Sequence, residues 1–135
     1  MATINGNYSG DLRCELKHLQ SNSILATDAP KDNHGKGEKF SPTDLVAASL
    51  ASCMITILAI RAKSKKIEIG KPKFEVNKVM DNQPRKIKRI EITIKMPASL
   101  EEESRKYLEE EARNCPVALS LSQEVEQKVQ FIYVL

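Results

Sequence analysis

From Leu45 to Ile60 the chain reads LVAASLASCMITILAI, sixteen residues without a single charge, and that run limits what the rest can become. As helix it is about 24 Å long, short of the ~20 apolar residues that a bilayer crossing takes, and Ser49, Ser52 and Thr56 interrupt it. A core helix is expected, not a membrane span. Its start stands just ahead of it. Ser41 can cap, Pro42 suits the first helical position, and Asp44 sets a negative charge in the first turn. Arg61, Lys63, Lys65 and Lys66 gather where its negative end falls. A helix apolar on every face has to be covered on every face. One small sheet covers one side, so a second copy of the chain is expected to cover the rest in an intimate homodimer.

The segments around this run read as strands and short helices. Tyr8, Leu12, Cys14 and Leu16 recur at spacings of two or four, which predicts one strand over 8–19. Gln20-Ser21-Asn22-Ser23 is a turn, Ile24–Thr27 a returning strand, and 28–38 a surface loop. A second hairpin spans 72–80 and 87–96 about the turn Asp81-Asn82-Gln83-Pro84, with Ile90, Ile92, Ile94 and Met96 on one face and a phase change before Val79. Ser99-Leu100-Glu101-Glu102 predicts a capping box and an amphipathic helix to about Asn114, burying Leu100, Tyr107, Leu108 and Ala112. A short helix over 117–121 and a last strand over 129–135 complete the order β-β-α-β-β-α-α-β. That order is α+β, a single domain over 1–135 with antiparallel sheets wrapped around a long buried central helix.

Composition removes several function classes. Across 135 residues, 21 Lys and Arg stand against 18 Asp and Glu, and aromatics are 4%. Neither the net charge of +3 nor the aromatic content builds a nucleic-acid platform. Three cysteines without a CxxC, and a start without an apolar leader, point to a reducing cytoplasm. No GxGxxG, phosphate loop or HExxH occurs, and His18 and His34 lie in no ligand spacing, so no cofactor and no metal are expected.

The cysteines are the remaining chemistry. Cys53 lies about 18 Å from the start of its helix, too far for the helix end to acidify it. A reactive Cys53 needs an Arg or Lys from a loop or a partner chain; otherwise it is a small core hydrophobe. Cys115 precedes Pro116 and falls at the cap of the short helix, where backbone N–H groups offer a local route to a thiolate. A buried Cys-Pro turn is the alternative. Cys14, between Arg13 and Glu15 on an exposed strand, reads as incidental.

The stretch Phe40–Cys53, FSPTDLVAASLASC, resembles the helix start and cysteine-bearing helix of the OsmC/Ohr family, and Asn114-Cys115-Pro116-Val117 resembles its second cysteine. Thr27-Asp28-Ala29-Pro30 and Gly35-Lys36-Gly37-Glu38 suit the OsmC-like branch. The resemblance implies an OsmC-like fold, an interwoven homodimer and thiol-dependent reduction of organic hydroperoxides in oxidative stress defence. In that picture Cys53 becomes a sulfenic acid, Cys115 resolves it to a disulfide, and an external dithiol reduces the disulfide. The family's peroxidases pair the reactive cysteine with an arginine held by a glutamate near the start of the same helix. Thr43 occupies that glutamate position here, with Asp44 next to it. Arg13 falls about where the Ohr branch carries its arginine, whereas the loop 29–40 offers only Lys31, Lys36 and Lys39. The departure keeps a second reading open, a redox sensor or small lipophilic ligand-binding protein without efficient peroxidase activity.

Overall fold

The computed structural model describes residues 1–135, which form two compact units, Met1–Val46 and Ala47–Leu135. The fold class is α+β, with two three-stranded sheets.

In the first unit, β1 (Ile4–Gly10), β2 (Arg13–His18) and β3 (Ile24–Asp28) form an antiparallel sheet in that order. The single strand expected over 8–19 is in fact two. Asp11 and Leu12 both have positive φ, 53° and 62°, and make the two-residue turn whose twist suits a hairpin. They close Gly10 against Arg13, after a bulge between Tyr8 and Gly10. The spacing of four from Tyr8 to Leu12 stepped across this turn. After β3 the loop folds on itself, Gly35 donating its N–H to the Pro30 carbonyl at 2.9 Å. A Cβ on Gly35 would sit 1.7 Å from the Ala29 carbonyl oxygen, so only glycine fits. The long helix α1 (Pro42–Ser64) starts as the sequence indicates. Ser41 Oγ accepts the Asp44 N–H at 3.0 Å and the Asp44 carboxylate accepts the Ser41 N–H at 2.9 Å, a reciprocal cap.

The second unit carries the apolar core. β4 (Lys73–Asp81) pairs antiparallel with β5 (Lys86–Met96), and the register shifts between Val79 and Met80, beside the anticipated phase change. α2 (Glu102–Arg113) and α3 (Pro116–Ser120) then lead to β6 (Glu126–Tyr133). β6 joins β5 in parallel, with Ile92 opposite Val129 and Ile94 opposite Phe131, so this sheet is mixed and not wholly antiparallel. The two intervening helices give the chain the length to return to the same end of the sheet, as a parallel joint requires. Ile90, Ile92, Ile94 and Met96 of β5 pack with Leu50, Met54 and Leu58 of α1 and with Leu108 and Ala112 of α2, all fully buried.

The capping box expected at Ser99 does not form. α2 begins at Glu102, and its cap residue Glu101 makes no side-chain bond. The Arg105 guanidinium instead reaches back to the carbonyls of Leu100 and Ala98, both at 2.8 Å, and holds the turn before the helix. Along α1, Ala47, Leu50, Ala51, Met54, Leu58 and Ala62 are buried, while Ser52, Thr56 and Ile60 are exposed and Cys53 is half-buried. The helix is thus covered on one side within a single chain. At 23 residues it is long and apolar enough, by length and composition, to cross a bilayer.

Candidate functional site

Two clusters hold the residues singled out by sequence, one in each unit. In Ala47–Leu135, α1 presents Cys53, half-buried against the apolar core. The turn after α2 presents Cys115, which is fully buried. Cys53 is close enough to bear on the titration of the Cys115 thiol. Pro116 supplies the fixed φ of the first helical position, which leaves Cys115 at the cap of α3, its Sγ accepting the Ala118 N–H at 3.4 Å. The cap position is as the sequence indicates, but the acidity is not. Burial pushes the Cys115 thiol up, and the neighbouring Cys53 adds to the rise, against the opposing pull of the Ala118 and Val117 N–H groups. A five-residue helix brings too little dipole to offset desolvation of a thiolate. Cys115 is therefore held as a neutral thiol.

In Met1–Val46, Arg13 opens β2 directly opposite Asp28, the last residue of β3. The guanidinium grips the Asp28 carboxylate by two edges, Nε to Oδ1 at 2.6 Å and Nη2 to Oδ2 at 2.9 Å, and Nη2 also reaches Glu38 Oε1 at 3.4 Å. Asp28 is 2% exposed and further accepts the Glu38 N–H at 3.0 Å. Hydrogen bonding to Arg13 holds its carboxyl down to about 2, even though burial pushes the other way, and raises Arg13 above the ordinary guanidinium value. Thr43, at the glutamate position, holds its hydroxyl 3.2 Å from Ser41 Oγ. The Asp44 carboxylate accepts the Ser41 N–H at the start of α1. Of the loop lysines, Lys36 lies 3.8 Å from the Asp11 carboxylate.

Sequence reasoning missed Asp28 and Glu38 as partners of Arg13. Once Asp11-Leu12 is taken as a turn, the register that sets Arg13 against Asp28 follows. Cys14 is half-buried and not simply a surface residue; with Tyr8, Leu12, Ala29 and Pro30 it lines a cleft of about 330 Å³. No group of three or more His, Cys, Asp or Glu side chains converges as metal ligands would.

Comparison with known proteins places the fold. No curated protein matches the chain. Among solved structures, a Psychrobacter arcticus protein assigned to the osmotic stress and detoxification response is 46% identical, with a TM-score of 0.93 over 97% of this chain and 96% of that one. An organic hydroperoxide resistance protein OsmC of Legionella pneumophila shares the fold at 18% identity, with a TM-score of 0.78 over 98% of both chains. OhrB, the organic hydroperoxide resistance protein of Bacillus subtilis, shares it at 20% identity, with a TM-score of 0.70 over 97% of both. The family model for OsmC-like proteins matches residues 35–130, a span that holds both Cys53 and Cys115. The chain belongs to the OsmC-like family.

Proposed function

We propose that the protein is a thiol-dependent hydroperoxidase that reduces organic hydroperoxides through Cys53 and Cys115, residues 1–135 acting as one functional domain. The observation that carries this reading is the nearness of the two thiols, one half-buried and one fully buried, with Cys53 pushing the Cys115 thiol up. The Cys53 thiolate attacks the distal peroxide oxygen, the O–O bond breaks, and the departing alkoxide takes up a proton to leave as alcohol. Cys53 is then a sulfenic acid. Condensation with the Cys115 thiol forms the disulfide and releases water, and an external dithiol reduces that disulfide in turn. Resolution has to outrun further oxidation, which a thiol already close by favours. A neutral Cys115 suits the first step as well, because its S–H can donate toward a thiolate at Cys53.

Arg13 supplies the cation that this thiolate needs. Its planar fork can hold a carboxylate on one edge and keep N–H donors on the other, which a lysine cannot do. The exposed stripe of α1 and the exposed apolar residues of the first sheet support a homodimer that covers both. The reading calls for a hydroperoxide, a dithiol reductant and a second subunit, in a reducing cytoplasm.

Stopped-flow consumption of cumene hydroperoxide tests it. Wild type is expected to consume one equivalent without added reductant and to form the Cys53–Cys115 disulfide, and Cys53→Ser neither. Equal rates for the two proteins end the peroxidase reading. A second reading, a redox sensor or lipophilic ligand-binding protein, draws on the commitment of Arg13 to two carboxylates. It predicts a co-purified apolar ligand in native mass spectrometry, together with thiols that peroxide leaves unchanged.

A further inference from the structure

We infer that Asp28 is the positioning residue for Arg13, supplying from the end of β3 the carboxylate that the family's peroxidases carry at the start of the cysteine helix. The inference rests on the reading of Arg13 as the cation that acts on Cys53. Three observations within Met1–Val46 support it.

The first is the geometry of the grip. Asp28 takes Nε and Nη2, two donors on one edge of the guanidinium, at 2.6 and 2.9 Å. Such a two-point contact fixes the plane of the fork as well as its distance. Nη1 lies on the edge that the Asp28 carboxylate does not take. The second is that Asp28 is itself fixed. It is 2% exposed, and its carboxylate accepts the backbone N–H of Glu38 at 3.0 Å, the Lys39 N–H adding to what favours its charge. The supporting residue is therefore locked by backbone donors, the condition for holding a functional side chain within a fraction of an ångström. The third is that the other acids of the unit do not fill this role. Glu38 is 62% exposed and only 3.4 Å from Nη2, and Asp44 serves the cap of α1. Thr43 carries no charge.

The pH profile of Cys53 alkylation by iodoacetamide, resolved from Cys14 and Cys115 by peptide mass spectrometry, reads the orientation of Arg13 without requiring turnover. Asp28→Asn is expected to raise the midpoint by about one pH unit, a tenfold loss of thiolate at a given pH. Arg13→Ala is expected to raise it as much, and the double variant no further. Thr43→Glu in the Asp28→Asn background is expected to restore part of the shift, by returning a carboxylate to the helix start. Arg13→Lys keeps a charge beside Asp28 but loses the fork, so it reads the same property without disturbing the buried site; its midpoint is expected to rise too.

A shift with Arg13→Ala but none with Asp28→Asn overturns the inference and leaves the peroxidase reading intact. A midpoint that falls in Asp28→Asn, as a freed guanidinium charge would produce, overturns it as well. If Arg13→Ala itself leaves the profile unmoved, the inference fails together with the role of Arg13. The fate of the Cys53 reaction is then decided separately, by peroxide consumption.

Discussion

The two units bury opposite kinds of residue. Every fully buried apolar side chain lies between Ala47 and Cys115, whereas the buried residues of Met1–Val46 are Thr27, Asp28 and Ser41. In the first sheet Ile4, Tyr8 and Ile24 are more than half exposed, as is Phe40 in the loop that follows. The second unit is held by apolar packing, which is proportional to area and indifferent to direction. The first is held by an ion pair and backbone hydrogen bonds, which are directional and fix geometry more than they add stability. A fold so divided keeps its stability in one part and the orientation of a charged side chain in the other.

The largest expected effect tests that division directly. Leu58→Ala empties a fully buried site among the β5 isoleucines and is expected to cost about 3 kcal/mol in urea unfolding. Ile24→Ala, at a residue 60% exposed, is expected to change stability by less than about 0.5 kcal/mol in a monomer. A comparable cost for Ile24→Ala, growing with protein concentration, would break the contrast by showing that a second copy covers the first sheet.

How far the sequence discloses this architecture follows the same line. The second unit was legible because its core rests on periodicity. The alternation Ile90, Ile92, Ile94, Met96 gives the inner face of β5, and the charge-free run gives α1, with the cap at Ser41 observed as expected. What the pattern did not carry was the parallel joint of β6, since alternation along one strand says nothing of its partner's direction. It also did not carry the start of α2, where Arg105 captured the carbonyls that a capping box would have left to solvent. The first unit was less legible because it has little apolar periodicity to read. Its turn at Asp11-Leu12 preserves the alternating spacing, so two strands looked like one. The site divides likewise. Cys53 and Cys115 stood out by residue type and context, but Asp28 became visible as the partner of Arg13 only through the register of β2 with β3.

The acid side of the stability profile offers a smaller test of the first unit. Arg13 holds the Asp28 carboxyl down to about 2, below the ~3.9 of an unfolded chain. Its stabilising contribution is therefore complete above about pH 4 and is lost as pH falls through about 2. Arg13→Ala removes the cause of the depression, and the acid transition followed by circular dichroism is expected to move upward, toward pH 4. An unchanged acid midpoint would mean that the backbone N–H groups of Glu38 and Lys39 alone keep Asp28 ionised. The contact would then orient Arg13 without reciprocal support.

The second unit is expected to weaken at the opposite end of the scale, by the smallest of these effects. Burial and the neighbouring Cys53 push the Cys115 thiol up, so folding favours the protonated form. The contribution is full below the ~8.5 of a free cysteine and is lost as pH rises toward the folded value, with a slope no steeper than about 1.4 kcal/mol per pH unit for one proton. Urea unfolding in the presence of reductant, compared at pH 7 and pH 10, is expected to fall more for wild type than for Cys115→Ala. Tyr133, whose hydroxyl is likewise pushed up by burial and by Glu109, titrates in both proteins and cancels in that difference. Equal alkaline losses would show that Cys115 is not kept neutral by its surroundings, and the S–H donated toward Cys53 would go with it. A greater loss in wild type would sharpen the contrast between the units. Acid would dissolve the contact that orients Arg13, and base would take the proton that burial keeps on the Cys115 thiol, each acting on its own half of the chain.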